Sequence, residues 1–310
     1  MSISPRAWFK LLLVAFFWGA TWVAGRIAVG EVSPLAAASW RFFLAALVLG
    51  AVLIRKEGIP RWGRRDWLGV LQLGASGIFL YNICFLYGLR FIEAGRGALV
   101  VALTPAVIAL ADWAIFGALM TPRRFTGVII AMLGCLLVVT RGDVHLLTQG
   151  AVGIGELLIL GCVVLWSSYT FIGRRVNRYI SPLAATFGAS LTGWAMLTVA
   201  ALVDGSLFSL QALRADGAAS ILFLGVLGTA LSFTWYAEAV RDIGPTRAGM
   251  FINLVPLFGV ILGALMLHER LAAATYMGGG LVVLGVLTLN WPTNPAAVAV
   301  AAAAAEGRSA

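Results

Sequence analysis

Apolar residues run through the chain in ten long blocks, which are separated by short charged, proline-containing or glycine-containing breaks. Most blocks hold about 20 residues, the length that an α-helix needs to cross the hydrocarbon core of a bilayer. Positions within the blocks do not alternate between polar and apolar, as the strands of a membrane β-barrel would. The pattern therefore predicts ten membrane-spanning helices, near residues 8–29, 34–54, 67–89, 95–119, 125–140, 153–173, 181–203, 218–240, 245–267 and 271–291.

The composition leaves little of the chain for anything outside a membrane. Of the 310 residues, 61% are hydrophobic and 11% are charged, whereas soluble domains carry about 25% charged residues. Ten spans occupy roughly 200 residues, and the rest suffices for short loops. These proportions exclude a soluble enzyme, a nucleic-acid-binding domain and a disordered chain. The fold class that they predict is an all-α membrane protein with ten transmembrane helices.

The basic residues are distributed unevenly between the two sides of the predicted spans. The side with the N-terminal segment and the loop at residues 55–66 carries about 15 Lys and Arg residues, against about 6 on the other side. Lys and Arg are enriched in the cytoplasmic loops of membrane proteins. We therefore expect both termini to face the cytoplasm, and an even number of spans likewise requires the termini to share a side.

The second half of the chain repeats the first at an offset of about 148 residues. Ser-Pro-Leu-Ala-Ala occurs at residues 33–37 and again at 181–185, and Pro105 and Pro256 take matching places in the fourth and ninth spans. Each repeat holds five spans, so the second must cross the membrane in the opposite direction to the first. We expect an inverted repeat of residues 1–147 and 148–291, followed by a disordered Ala-rich tail at 292–310.

Aromatic and polar side chains near the centres of the spans are the candidates for a substrate site, because inverted halves place such a site near the midplane. The candidate substrate-binding residues are Trp18, Trp22, Tyr81, Asn82, Phe85, Trp166, Tyr169, Ser232, Trp235 and Asn253. Aromatic faces hold apolar groups and attract ammonium groups by about 0.5–2 kcal/mol, while amide and hydroxyl groups can orient a carboxylate. The same aromatic residues could instead anchor helices at the membrane surface or pack against neighbouring helices.

Two prolines and one carboxylate inside the spans are further candidates. Proline removes a helix hydrogen bond, so the matched Pro105 and Pro256 are predicted hinges, the alternative being a static kink. Asp112 is a candidate for coupling transport to protons, because an ionisable residue within a span is costly and often functional. It could equally pair with Arg41, the other deep ionisable residue, or lie close enough to the cytoplasm to be hydrated.

Motifs for other chemistries are missing from the sequence. No GxxxxGK[ST] phosphate-binding loop occurs, and the longest interior loop is far too short for a nucleotide-binding domain. The three cysteines form no CxxC pair, and no Cys or His residues have the spacing of metal ligands. We therefore expect no cofactor, no metal and no nucleic-acid partner. The expected partners are a small-molecule substrate and the lipid bilayer, with the protein as a monomer.

Three segments carry a resemblance to a known family. They are Trp18-Gly19-Ala20-Thr21-Trp22 with Arg26, Ser33-Pro34 with Arg41, and the turn His268-Glu269-Arg270-Leu271 with Gly278 and Gly285. The chain resembles the drug/metabolite transporter superfamily, in its ten-helix EamA-type branch, and within that branch the YddG-like amino-acid exporters. The first half has Thr121-Pro122-Arg123-Arg124 at the corresponding turn, so the family's Glu is absent there.

The resemblance implies a multi-pass protein of the bacterial inner membrane that exports amino acids, aromatic or of a broad range, and related small metabolites. It also implies alternating access through a central cavity lined by both halves, without ATP. The alternative within transport is an exporter of drugs or organic cations with the same fold. The alternative outside transport is a membrane enzyme acting on lipids, which would need an interfacial cluster of His, Asp or Glu, residues that are scarce here.

Overall fold

The computed structural model describes residues 5–143, 153–211, 213–243 and 245–290, and within these ranges the chain forms helices and no strand. The helices are α1 (Pro5–Glu31), α2 (Pro34–Glu57), α3 (Arg64–Gly88), α4 (Ala94–Phe116), α5 (Pro122–Thr140), α6 (Ile154–Val176), α7 (Pro182–Val203), α8 (Ala215–Ile243), α9 (Pro245–Ile252 and Val255–Met266) and α10 (Ala273–Asn290). The expected boundary at residue 147 and the predicted tail at 292–310 lie outside the described residues.

The all-helical membrane architecture predicted from the sequence is confirmed. In the described part of the chain, every helix except α9 is long and apolar enough to cross a membrane, which makes nine, and α9 consists of two shorter pieces. Proline opens α2, α5 and α7, where its missing N–H group would be unpaired anyway. At α5 and α7 the preceding hydroxyl, of Thr121 or Ser181, accepts a hydrogen bond from a backbone N–H of the first turn.

Polar contacts show which turns meet at each end of the bundle. At one end, here called the Lys10 end, Lys10 of α1 pairs with Glu238 at the end of α8. At the other, here called the Arg26 end, Arg26 of α1 donates to the carbonyl of Ile92 between α3 and α4 at 3.1 Å. Helices α1 and α3 therefore end, and α4 begins, at the Arg26 end, whereas α8 ends at the Lys10 end.

The pair α5 and α10 makes the closest backbone approach, through four glycines. A Cβ atom added at Gly134 would lie 2.6 Å from the carbonyl oxygen of Gly278, and one at Gly285 would lie 2.6 Å from that of Gly127. Because Gly127 faces Gly285 and Gly134 faces Gly278, the two helices run antiparallel. Helices α2 and α7 are also antiparallel, since Ser33 bonds Ser206 while Gly50 faces Phe187.

Four of the helices are irregular, and the irregularities are matched along the chain. Gly74–Leu80 of α3 and Val226–Leu231 of α8 form π-helical turns, which hydropathy did not predict. In α4 and α9 the helix is interrupted two residues before the predicted hinge prolines, at residues 102–103 before Pro105 and at 253–254 before Pro256. π-Helical turns and proline breaks free backbone groups and often mark functional positions.

Substitution at Gly285 tests the glycine contact between α5 and α10. Gly285→Val places methyl groups against the backbone of α5. We therefore expect the free energy of unfolding to fall by about 1–3 kcal/mol, the usual range for overpacking. The measurement is the thermal unfolding midpoint of the purified protein in detergent. Gly280→Val on the same helix is the matched control, because a Cβ atom there meets nothing within 4 Å. Equal midpoints for the two variants would contradict the contact.

Candidate functional site

A buried charge lies inside the bundle: Arg41 of α2 is 7% exposed. Its Nη1 donates to Oδ1 of Asn82 on α3 at 3.0 Å. Its Nε and Nη2 both donate to Oγ1 of Thr229 on α8, at 3.2 and 3.1 Å. Arg41 thus joins three helices through neutral acceptors, and no described carboxylate lies within 4.0 Å of it.

The irregular turns of α3 and α8 position the two acceptors. Thr229 lies within the π-helical turn of α8 and donates its own hydroxyl proton to the carbonyl of Leu224, five residues earlier. Asn82 follows the π-helical turn of α3, and its Nδ2 donates to the carbonyl of Ile78 at 2.7 Å. With its amide group held by that bond, Asn82 presents its oxygen to Arg41.

Aromatic rings from four helices form a continuous series beside Arg41, here called the aromatic cluster. Its members are Trp18 and Trp22 of α1, Tyr81 and Phe85 of α3, Trp166 and Tyr169 of α6, and Phe233 and Tyr236 of α8. Neighbouring ring centroids lie 4.9–6.2 Å apart, within the usual range for aromatic pairs. The ring of Phe85 connects the cluster to the charge, because the Cζ atom of Arg41 lies 5.9 Å from its centroid.

The structure brings together most of the residues that the sequence singled out. Six of them share the aromatic cluster and a seventh bonds Arg41: Trp18, Trp22, Tyr81, Phe85, Trp166, Tyr169 and Asn82. Within it, Trp22 is enclosed between Phe85 and the backbone at Gly97, whereas Trp18 and Trp166 are partly exposed. Ser232 is fully buried next to Phe233 and donates to the carbonyl of Leu227.

Two candidates lie apart from the aromatic cluster. Trp235 faces Phe17 and lies below the Nζ atom of Lys10, at 5.8 Å, which places it towards the Lys10 end. Asn253 occupies the interruption of α9 and is partly exposed. Depth along a helix separates these residues from the cluster, and a sequence pattern gives depth only to within a turn or two.

Sequence reasoning assigned no binding role to Arg41, Thr229 or Phe233. For Arg41 the signal was present, since a charge within an apolar span is rare and usually functional. Thr229 and Phe233 carry no such signal, because threonine and phenylalanine are ordinary in membrane helices.

Asp112 does not pair with Arg41. Both of its carboxylate oxygens accept from Nη1 of Arg174 on α6, at 2.7 and 3.0 Å, and both side chains are partly open to solvent. The pair joins the end of α4 to the end of α6 at the Lys10 end. Such exposed pairs are worth little on their own, typically below about 1 kcal/mol.

Carboxylates from the second half of the chain contact the first half at both ends of the bundle. At the Lys10 end, Glu238 accepts from Lys10 at 2.7 Å and also from Lys56. At the Arg26 end, Glu269 accepts from the backbone N–H groups of Ala94 and Gly95, at 2.7 and 2.9 Å. A carboxylate is favourable there because those N–H groups form the positive end of α4.

The family model for the EamA-like transporter family matches the chain twice, over residues 6–140 and 153–291. The chain belongs to the EamA-like transporter family. It is 31% identical over 281 residues to the uncharacterized transporter YyaM of Bacillus subtilis, covering 90% of this chain and 92% of that protein. This family member is therefore a multi-pass membrane transporter of the drug/metabolite transporter superfamily, which fits a protein that is not an enzyme.

More distant relatives extend the likeness. The chain is 23% identical over 300 residues to the S-adenosylmethionine/S-adenosylhomocysteine transporter of Chlamydia muridarum, covering 92% of each protein. A crystal structure matches with a TM-score of 0.65 at 19% identity, covering 92% of this chain and 96% of that one. At this identity the structural match establishes a shared fold.

Removing the hydroxyl of Thr229 tests the bonding of Arg41. Thr229→Val keeps the shape of the side chain but deletes the oxygen that accepts two hydrogen bonds from the guanidinium. We therefore expect the free energy of unfolding to fall by about 1.5–3 kcal/mol, the range for hydrogen bonds to charged groups. Thr234→Val on the same helix is the control, because that hydroxyl donates to its own helix, at Ala230. Thermal unfolding midpoints in detergent measure both. A loss at Thr234→Val as large as at Thr229→Val would contradict the assignment.

Proposed function

We propose that this transporter exports amino acids, aromatic or of a broad range, and related small metabolites from the bacterial cytoplasm across the inner membrane. Transport would proceed by alternating access and without ATP. The aromatic cluster carries this proposal, because α1 and α3 of the first half and α6 and α8 of the second half build it together. Its rings offer apolar faces to a side chain and negative faces to an ammonium group.

We further propose that the two halves are inverted copies of one five-helix unit, with both termini in the cytoplasm. Three observations support this. Helices at matching places in the two halves, α5 with α10 and α2 with α7, pack antiparallel. The π-helical turns recur in α3 and α8. The family model matches each half separately. The basic residues on the side of Lys10 favour that side as the cytoplasmic one.

Alternating access needs closures that open one at a time, and the carboxylates at the two ends of the bundle supply them. Releasing Glu238 from Lys10 and Lys56 would free α8 from α1 and α2 at the cytoplasmic end. Releasing Glu269 from the start of α4 would open the other end. The breaks before Pro105 and Pro256 lie in α4, which Glu269 contacts, and in α9, which Glu269 follows, and this favours the hinge over the static kink.

The charge of Arg41 distinguishes between the candidate substrate classes. A buried cation without a carboxylate partner repels organic cations, which counts against an exporter of cationic drugs. S-Adenosylhomocysteine, named for the chlamydial relative together with S-adenosylmethionine, is a zwitterionic amino-acid derivative with a carboxylate and without the sulfonium charge of S-adenosylmethionine. A nucleoside-bearing amino acid is therefore the second candidate substrate.

Flux from liposomes tests the proposal. Purified protein in liposomes loaded with labelled phenylalanine or leucine should release both in a saturable manner without ATP. Trp166→Ala should change the ratio of the two rates by about fivefold or more, because one ring contact with substrate is worth roughly 1 kcal/mol or more. Trp113→Ala, which removes an exposed ring of α4, is the control and should leave the ratio unchanged.

Two results would contradict this account. Absence of flux for every amino acid excludes the substrate class, while an unchanged ratio in Trp166→Ala excludes the aromatic cluster as the site.

An imposed pH gradient in the same liposomes tests Asp112 as the coupling residue. If Asp112→Asn responds to the gradient as the wild type does, Asp112 has no such role.

A further inference from the structure

We infer that Arg41 binds the carboxylate of the transported molecule and selects anionic or zwitterionic acids over their neutral and cationic analogues. The inference rests on the proposed function for the place of the substrate, which is the aromatic cluster. It names the group on the substrate that the protein recognises and the residue that recognises it.

The burial of an uncompensated charge is the first observation. Arg41 is 7% exposed in the eighth position of α2, among apolar residues such as Phe42 and Ala45. A charge in such surroundings is unfavourable unless it is paired or functional. Its described partners, the amide oxygen of Asn82 and the hydroxyl of Thr229, are neutral. The positive charge itself is therefore left for a ligand to neutralise.

The hydrogen-bonding capacity of the guanidinium is the second observation. Arginine has five N–H groups, and the bonds to Asn82 and Thr229 use one on each nitrogen. One N–H group therefore remains on each terminal nitrogen. Two N–H donors on one planar group match the two oxygens of a carboxylate, which is the pairing that arginine makes best.

The surroundings of the guanidinium match the rest of an amino acid. The ring of Phe85 lies 5.9 Å from Cζ of Arg41, and the cluster continues through Tyr81 to Trp166. A substrate with its carboxylate on Arg41 would have its apolar side chain and its ammonium group beside aromatic faces. The cluster and the charge together describe a carboxylic acid with an apolar body.

A purely structural role for Arg41 is the competing explanation, and the second half of the chain argues against it. The carbonyl of Arg41 contacts Gly225 of α8, where a Cβ atom would lie 2.7 Å away. The matching contact joins the carbonyl of Ala189 on α7 to Gly74 of α3, where a Cβ atom would lie 2.9 Å away. The same packing thus forms around an alanine in the other half. Packing of these helices does not require an arginine.

The test compares an acid with its amide. L-Phenylalanine and L-phenylalaninamide differ in the carboxylate, and their binding to the purified wild type is measured by the shift of its thermal unfolding midpoint and by flux from liposomes. We expect the acid to be preferred by about tenfold or more, since a charge-assisted pair is far stronger than a neutral one. In Arg41→Gln this preference should fall to about one. Arg90→Gln, which removes an exposed charge at the Arg26 end, is the control and should keep the preference.

A second variant keeps the test valid if Arg41→Gln does not fold. Asn82→Asp places a carboxylate at the position of the oxygen that Arg41 already contacts at 3.0 Å. It should pair with the guanidinium internally, which offsets the loss of the amide's hydrogen bond to the carbonyl of Ile78, and it should lose the preference for the acid. A preference for the acid that survives in Arg41→Gln, or in Asn82→Asp where Arg41→Gln is unfolded, overturns the inference.

Failure of the proposed function gives a different result from failure of the inference. If phenylalanine moves but the acid preference does not depend on Arg41, the inference fails and amino-acid export stands. Indole-3-acetate and indole-3-acetamide form a second acid and amide pair without an ammonium group. If no amino acid binds, but Arg41 governs the preference within this second pair, amino-acid export fails and carboxylate recognition by Arg41 stands.

Discussion

Close backbone contact between helices of the two halves is the constraint on which the rest of the structure depends. Lipid offers no hydrophobic drive for helices to associate, so close packing has to hold them together. Gly127 and Gly134 of α5 meet Gly285 and Gly278 of α10 with no room for a Cβ atom on either side. This contact is self-complementary, because each helix presents the same spacing of glycines to the other. A surface of this kind supports the proposal that the two halves are copies of one unit that face in opposite directions.

The site depends on a departure from regular helices. If α8 were a regular α-helix at this point, Thr229 would lie on a different face of it. Its hydroxyl would then donate to the backbone carbonyl four residues earlier in the same helix. The π-helical turn moves that bond to Leu224, five residues back, and leaves the oxygen towards Arg41.

Local sequence predicted those features that depend on local properties. Hydropathy located the membrane helices, because each must bury about 20 apolar residues, and Pro105 and Pro256 located the breaks in α4 and α9. The aromatic candidates were identified by their places on helical faces, and six of them meet in one cluster. Hydropathy carries no signal for the π-helical turns, which begin where glycines pack against other helices: Gly74 lies against Ala189 and Gly193, and Gly225 lies against Arg41. The pairing of Asp112 with Arg174 likewise depends on which helix ends are neighbours in space.

The account depends most on the opposite orientation of the two halves, and labelling from one side of the membrane tests it directly. Arg61, between α2 and α3, and Phe208, between α7 and α8, are exposed at matching places in the two halves. Single cysteines at these positions, in a protein without Cys84, Cys135 and Cys162, are treated in intact cells with a membrane-impermeant maleimide. The account predicts labelling of Phe208→Cys in intact cells and of Arg61→Cys only after permeabilisation. Labelling of both from the same side would contradict it.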